Sequence, residues 1–356
     1  EIRLSLVGSE MCIRDRVYML YISSILCLFY LGGVGHLDHV SFLGQTISSG
    51  TIVTFYMYIS KFFTPIQNLA EQFNWLQSAL ASSEKVFSIM DIAPKMVDAP
   101  DAIELDEVKG EIEFRDVSFR YPDADGDTIH HISFTAHHGQ TVALIGATGC
   151  GKSSIINLIP RLYDATSGQV LVDGVDVRDY TQDALRSKIG FVPQKAFLFA
   201  GTVSSNVGYG EDNASGAAIR KAVAVAQAAE FVESPEVGYS GTVAQGGSNF
   251  SGGQKQRLSI ARAVARDPEI LVFDDSFSAL DYKTDHALRQ ALSEQTSGTT
   301  NIIVAQRIGT IRDADCILVI EDGAIVGKGT HRELMESCKV YQEIAYSQLS
   351  KEELAS

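Results

Sequence analysis

Positive charge is scarce in this 356-residue chain: 29 Lys and Arg stand against 44 Asp and Glu, for a formal charge of −15. A protein whose main partner is nucleic acid grips the phosphate backbone with clustered Lys and Arg, so that class is excluded and any phosphate held here is held locally. Cysteine is sparse too. Cys12, Cys27, Cys150, Cys316 and Cys338 are scattered without the paired spacing of a metal site, which leaves free thiols, three of them in what reads as a cytosolic enzyme domain. Between Val17 and Leu37 charge is missing altogether. That run is as long as a helix rising about 1.5 Å per residue needs to cross about 30 Å of hydrocarbon, so a transmembrane helix is expected over 17–37. Glycine is absent from Lys61 to Asp91, where Phe73, Leu76, Leu80, Val86 and Ile89 recur near helical spacing. What is present, 45% hydrophobic and 21% charged residues, fits a folded chain of two domains with some membrane character.

A second uncharged run, Val40 to Ser60, carries Ser, Thr, Gln and Gly throughout, so one face of it must meet other helices or a polar cavity rather than lipid. The two readings are a second transmembrane helix over about 45–72, extended into the cytosol to residue 90, and a buried helix of a soluble domain. Residues 91–109, with Pro94, Pro100 and a cluster of acids, read as a linker. Residues 5–16, SLVGSEMCIRDR, resemble the in-frame translation of a sequencing adaptor. Residues 1–16 are therefore expected to be non-native and the natural protein to be longer at its N-terminus; the other reading of Arg14, Asp15 and Arg16 is a charged flank on the cytosolic side of a membrane helix.

Thr141 to Ile145 reads as a strand running straight into Gly146-Ala147-Thr148-Gly149-Cys150-Gly151-Lys152-Ser153-Ser154, after which Ile155, Ile156, Leu158 and Ile159 open an apolar helix. Strand, glycine loop and helix in this order make a phosphate cradle. Backbone N–H groups wrap the phosphates, Lys152 reaches the β- and γ-phosphates, and the Ser153 hydroxyl is placed to ligate Mg²⁺. Downstream, Ile270 to Phe273 reads as a buried strand ending in Asp274-Asp275, where Asp274 is a candidate Mg²⁺ group. ATP and Mg²⁺ are the implied ligands.

Between these motifs lies Asn249-Phe250-Ser251-Gly252-Gly253-Gln254-Lys255-Gln256-Arg257, which resembles the signature of the ABC transporter family. The resemblance extends from about Gly110 to Ser347 and implies an α/β P-loop NTPase with a helical subdomain. Ser251, Gly252, Gly253 and Gln254 would then contact an ATP held by the opposite subunit. Tyr121 resembles the aromatic that stacks on adenine, and Gln194 the glutamine that joins the metal site to the subdomain facing the membrane helices. Ser278 and Asp281 resemble the loop at the dimer interface, and Gly323 to Leu334 the closing strand and turn. On the N-terminal side, SSGTIVTFYMYISKFFTPIQNL followed by SSEKVFSIMD resembles the last transmembrane helix of an exporter-type half-transporter. The implied architecture is the end of an all-α membrane domain (17–90), a nucleotide-binding domain (110–347) and a tail (348–356), in a bacterial-type cytoplasmic membrane with the ATP-binding domain in the cytosol.

Two positions depart from the family pattern. Asp275 stands where active members carry Glu to polarise the attacking water; its carboxylate is withdrawn by a methylene, and a misplacement of about 1 Å costs on the order of a hundredfold in rate. Gln306 stands at the switch histidine, where it can donate a hydrogen bond but carry no positive charge. Gln245 also replaces a common Glu ahead of the signature. Together the changes at 275 and 306 resemble the weakened half of a heterodimeric multidrug-type exporter that moves a small molecule, lipid or peptide. A homodimer with slow hydrolysis, a nucleotide-gated subunit and an importer on an exporter-like fold are the other readings.

Overall fold

The computed structural model describes residues 2–37, 41–42, 45–46, 48–94, 96–104, 108–210, 214–295 and 298–348, with side chains described for 15–34 and from 48 onward. Residues 349–356, most of the expected tail, and 105–107 of the expected linker lie outside them, as do the side chains of 1–14. The chain divides into two compact units, Glu1–Lys95 and Met96–Ser356.

The first unit is two long helices, Ile2–Leu37 and Ser49–Met90, joined through a two-residue antiparallel ladder of Ser41–Phe42 with Gln45–Thr46. The first helix runs unbroken through the segment read as non-native. Within it, Asp15–Val34 has a mean hydropathy of 1.9 and is long and apolar enough to cross a membrane. Among the described residues no second stretch passes that test; the polar residues that set Val40–Ser60 apart lower its hydropathy. The second helix begins at Ser49 rather than at 45, because Ser48 adopts an extended conformation and its hydroxyl accepts the N–H of Thr51, the usual work of a serine N-cap. Its 42 residues span about 63 Å at 1.5 Å per residue, twice the hydrocarbon thickness. Tyr21 bonds Ser60 at 3.3 Å and its ring meets Phe63 at 5.5 Å. Tyr30, Leu69 and Trp75 are more than two-thirds exposed, a surface that lipid or further helices must cover.

The second unit stacks two sheets. The larger has six strands in the order Ala324–Gly329, Cys316–Glu321, Thr141–Ile145, Thr300–Val304, Ile270–Asp274, Ile189–Val192, all parallel except the first. The smaller is antiparallel: Ile129–Ala136, Ile112–Phe119, Ser167–Val172, Val175–Asp176. Side chains alternate between sheet faces along a strand, and here both faces are buried. Val142, Leu144, Ile270, Val272, Ile302 and Val304 enter a core shared with the antiparallel sheet and the helix Lys152–Leu158. Ala143, Ile145, Leu271, Phe273 and Ile303 enter a second core with the helices Gly216–Val225 and Gly252–Val264. This two-sided burial is why the strands read as unbroken apolar runs. The C-terminal ends of neighbouring parallel strands deliver the phosphate loop, Asp274-Asp275 and Gln306 to one edge, where ligands of open α/β sheets bind.

Part of the expected linker is stapled to this unit. Ile103 pairs with Tyr180 as an isolated parallel bridge, the Ile103 N–H donating to Asp179 O at 2.8 Å. Gln182 donates to Asp98 at 2.9 Å, and the nearly buried Arg161 donates to Val97 O at 3.2 Å.

Candidate ATP site

The phosphate loop owes its shape to two glycines. A Cβ at Gly146 would lie 2.1 Å from Ile320 O, and at Gly151, where φ is +100°, 2.5 Å from a methyl of Ile129. Only glycine fits these approaches. The helix Lys152–Leu158 then starts without a side-chain cap, leaving the first N–H groups directed at the cleft. Lys152 is buried, and its Nζ donates to the carbonyls of Gly146 and Ala147, each at 2.8 Å, which fixes its cation over the loop. Thr148 and Gly149 are exposed at the apex.

Cys150, read as a member of the phosphate cradle, is buried. Its thiol is 7% exposed and packs in the core below the loop, with Lys152 Nζ 3.5 Å from its sulfur. Its contribution to the cradle is therefore backbone. Ser154 is also buried and shares a 3.1 Å hydrogen bond with Tyr121 Oη, while still bordering the cleft. Tyr121 is in turn fixed edge-on by Phe119 and Tyr163, with centroids at 4.7 and 5.2 Å, so the aromatic expected at adenine is a rigid platform beside the loop.

Across the cleft, Ser153 Oγ donates to Asp274 Oδ1 at 2.9 Å. Asp275 is 7% exposed and sits at φ +46°. Its Oδ2 accepts from Gln306 Nε2 at 2.7 Å and from Gln194 Nε2 at 3.2 Å. Burial pushes both carboxyls above their ordinary range. At Asp274 the Ser153 bond opposes the shift and the neighbouring Asp275 charge adds to it, while at Asp275 the glutamine bonds oppose it. A cleft of about 190 Å³ brings together Thr148, Gly149, Lys152, Ser153, Gln194, Asp274, Asp275 and Gln306, with Thr128 as a member the sequence did not single out. The Ser153 hydroxyl and Asp274 carboxylate are hard oxygen donors suited to Mg²⁺. No cluster of three metal-binding side chains exists among the described residues, so phosphate and water oxygens would complete the shell.

The signature residues do not line this cleft. Ser251 caps the helix Gly252–Val264 in a closed box: Gln254 N–H donates to Ser251 Oγ at 3.3 Å and Ser251 N–H to Gln254 Oε1 at 2.9 Å. A Cβ at Gly252 would meet nothing within 4 Å, and one at Gly253 would approach Ala279 O at 3.3 Å. Ser278 Oγ donates back to Asp275 O at 2.8 Å. Asp281 accepts from the N–H and hydroxyl of Thr284 at 3.0 and 2.8 Å, bonds that hold its carboxyl below the ordinary range; it caps the next helix from the exposed end of the loop.

The chain is similar to several known proteins. The family model described as ABC transporter matches residues 129–278. An uncharacterized ABC transporter ATP-binding protein of Bacillus subtilis (strain 168) is 40% identical over 305 residues, 86% of this chain and 50% of that protein. An ATP-dependent lipid A-core flippase of Syntrophus aciditrophicus (strain SB) is 35% identical over 330 residues, 91% of this chain and 55% of the flippase. The solved structure of a bacterial Atm1-family ABC exporter with ATP bound superposes with a TM-score of 0.75 at 32% identity, covering 95% of this chain and 59% of that one. Residues 129–278 belong to the ABC transporter family, and the chain is similar to exporters of that family. It joins an ABC ATP-binding domain to helices of a membrane domain, and it spans about half the length of the relatives it matches.

The structure adds site members to those an ABC signature set supplies. Tyr163 buttresses Tyr121, and its aromatic character 42 positions downstream was the only available hint. Gln348 bonds the backbone at Gln306 and Ile308. No local pattern marks a glutamine that far from the switch loop.

Proposed function

We propose that this chain is the ATP-binding and permease subunit of an ABC exporter in which ATP binding and hydrolysis drive export across a bacterial-type cytoplasmic membrane. On this reading its own ATP site hydrolyses slowly, and its signature completes the competent site of a different partner subunit. The observation that carries the slow site is the bonding of Asp275. A general base must offer a carboxylate oxygen to the attacking water, and here Oδ2 already accepts from two amides while the side chain is a methylene shorter than Glu. Ser153 and Asp274 would hold Mg²⁺, which neutralises phosphate charge. The relative named for lipid A-core flipping makes an amphipathic lipid the first cargo to test.

Turnover in the assembled transporter tests the asymmetry. Asp275→Asn is expected to change ATP hydrolysis little, because the site it serves is already slow. Gly252→Asp is expected to abolish most of it: a carboxylate about 4 Å from a phosphate charge costs about 4 kcal/mol at an intermediate dielectric. The open space around Gly252 lets the variant fold, and Asp is favourable in the first turn of a helix. Equal loss in both variants makes this chain's own site the catalytic one and refutes the slow-site reading.

A further inference from the structure

The switch loop is held from the far end of the chain. The helix Ile308–Ile311 begins at Arg307 without a side-chain cap from its own sequence. Its first N–H, that of Ile308, donates instead to Gln348 Oε1 at 2.9 Å, while Gln348 Nε2 donates to the carbonyl of Gln306 at 2.7 Å. One planar amide thus bonds backbone groups on either side of Arg307, and a two-point bond of this kind fixes orientation as well as position. Gln348 stands on the last turn of the helix Lys339–Gln348. That helix is anchored by Ala345 and Tyr341, both fully buried, with the Tyr341 hydroxyl 2.7 Å from His331 Nδ1. From the loop so fixed, Gln306 Nε2 reaches Asp275 Oδ2 at 2.7 Å.

We propose that Gln348 is a positioning residue for the γ-phosphate end of the site, clamping residues 306–308 so that the Gln306 amide faces Asp275 and the terminal phosphate. The inference rests on the proposed ATP site, in which Gln306 occupies the place that senses the γ-phosphate. The C-terminal helix is thereby part of the apparatus that tells ATP from ADP. ADP lacks the group that Gln306 addresses, so the clamp affects ATP alone.

Photolabelling of the assembled transporter with 8-azido-ATP, resolved by subunit, reads occupancy of this chain's site, and competition by unlabelled ATP and ADP gives the two affinities. Gln348→Ala is expected to weaken ATP about fivefold, the value of one net hydrogen bond, and to leave ADP unchanged. Gln306→Ala is expected to lower the same ATP preference, and adding Gln348→Ala to it to do nothing more. Weakening of both nucleotides alike by Gln348→Ala marks a merely structural residue and overturns the proposal. So does a Gln348 effect that persists in the Gln306→Ala background, or an effective Gln306→Ala beside a silent Gln348→Ala. Gln306→Ala without effect on the ATP preference refutes instead the γ-phosphate reading of the site, and with it the clamp.

Discussion

The helix after the phosphate loop and the helix after Ser251 both begin on glycine-rich turns, but they finish their first turns in different ways. Lys152–Leu158 starts from Gly151 in a left-handed conformation, and no side chain bonds its leading N–H groups. Gly252–Val264 starts from Ser251, which exchanges two hydrogen bonds with Gln254. An uncapped start leaves its donors for a ligand held by the same chain. A capped start stays ordered on an exposed surface, and its cap does not reach the N–H groups of Gly252 and Gly253, which on the proposed reading are left for a phosphate brought by another molecule. Only the first of the two motifs lines the cleft containing Asp274, Asp275 and Gln306.

The largest expected effect breaks the first helix start. Lys152→Ala removes a cation held by two loop carbonyls, and hydrogen bonds to charged groups contribute roughly 1.5–3 kcal/mol each. ATP affinity at this chain's site is expected to fall on the order of a hundredfold in a titration with ATP and Mg²⁺. Unchanged affinity would remove the phosphate-loop assignment and with it the distinction between the two starts. A smaller effect is expected of Gly151→Ala, which puts a Cβ 2.5 Å from Ile129 at φ +100°. Strain of this kind costs on the order of 1–3 kcal/mol, so the denaturation midpoint should drop. Gly252→Ala, at a position where a Cβ meets nothing, should leave the midpoint nearly unmoved. If the two glycines prove equally tolerant, the loops do not differ as described.

How much of this was legible in the sequence follows from the range of each interaction. The phosphate loop, Asp274-Asp275 and the departures at 275 and 306 are written in short segments whose residue types are themselves the chemistry. The alternating burial of Val142, Ala143, Leu144 and Ile145 between two cores was legible as an apolar strand, though not which side chain entered which core. Direction within a loop was not legible. Cys150 and Ser154 sit among ligand-facing residues, yet both are buried, the thiol against the core beneath the loop and the Ser154 hydroxyl against Tyr121. Pairs far apart in sequence were silent as well: Ile103 with Tyr180, Gln182 with Asp98, and Gln348 with the switch loop join positions whose residue types are ordinary on their own. A proline-broken acidic stretch reads as a linker whether or not a distant residue such as Tyr180 accepts it. A glutamine near the C-terminus reads as a solvated tail until its partner backbone is known.

The smallest expected effect separates order from recognition at the second helix start. Ser251→Ala removes the acceptor for the Gln254 N–H, and loss of an N-cap costs about 1 kcal/mol. The denaturation midpoint should therefore fall slightly. Asn caps helices about as well as Ser, so Ser251→Asn should restore the midpoint to within a few tenths of a kcal/mol. Its bulkier amide nevertheless replaces a hydroxyl that, on the proposed reading, meets the partner's nucleotide. Turnover of the assembled transporter should then stay low in both variants, although only one of them is destabilised. If turnover recovers together with the midpoint in Ser251→Asn, the serine matters only as a cap. The two glycine-rich starts would then differ in local stability alone, and not in the molecule whose phosphate they meet.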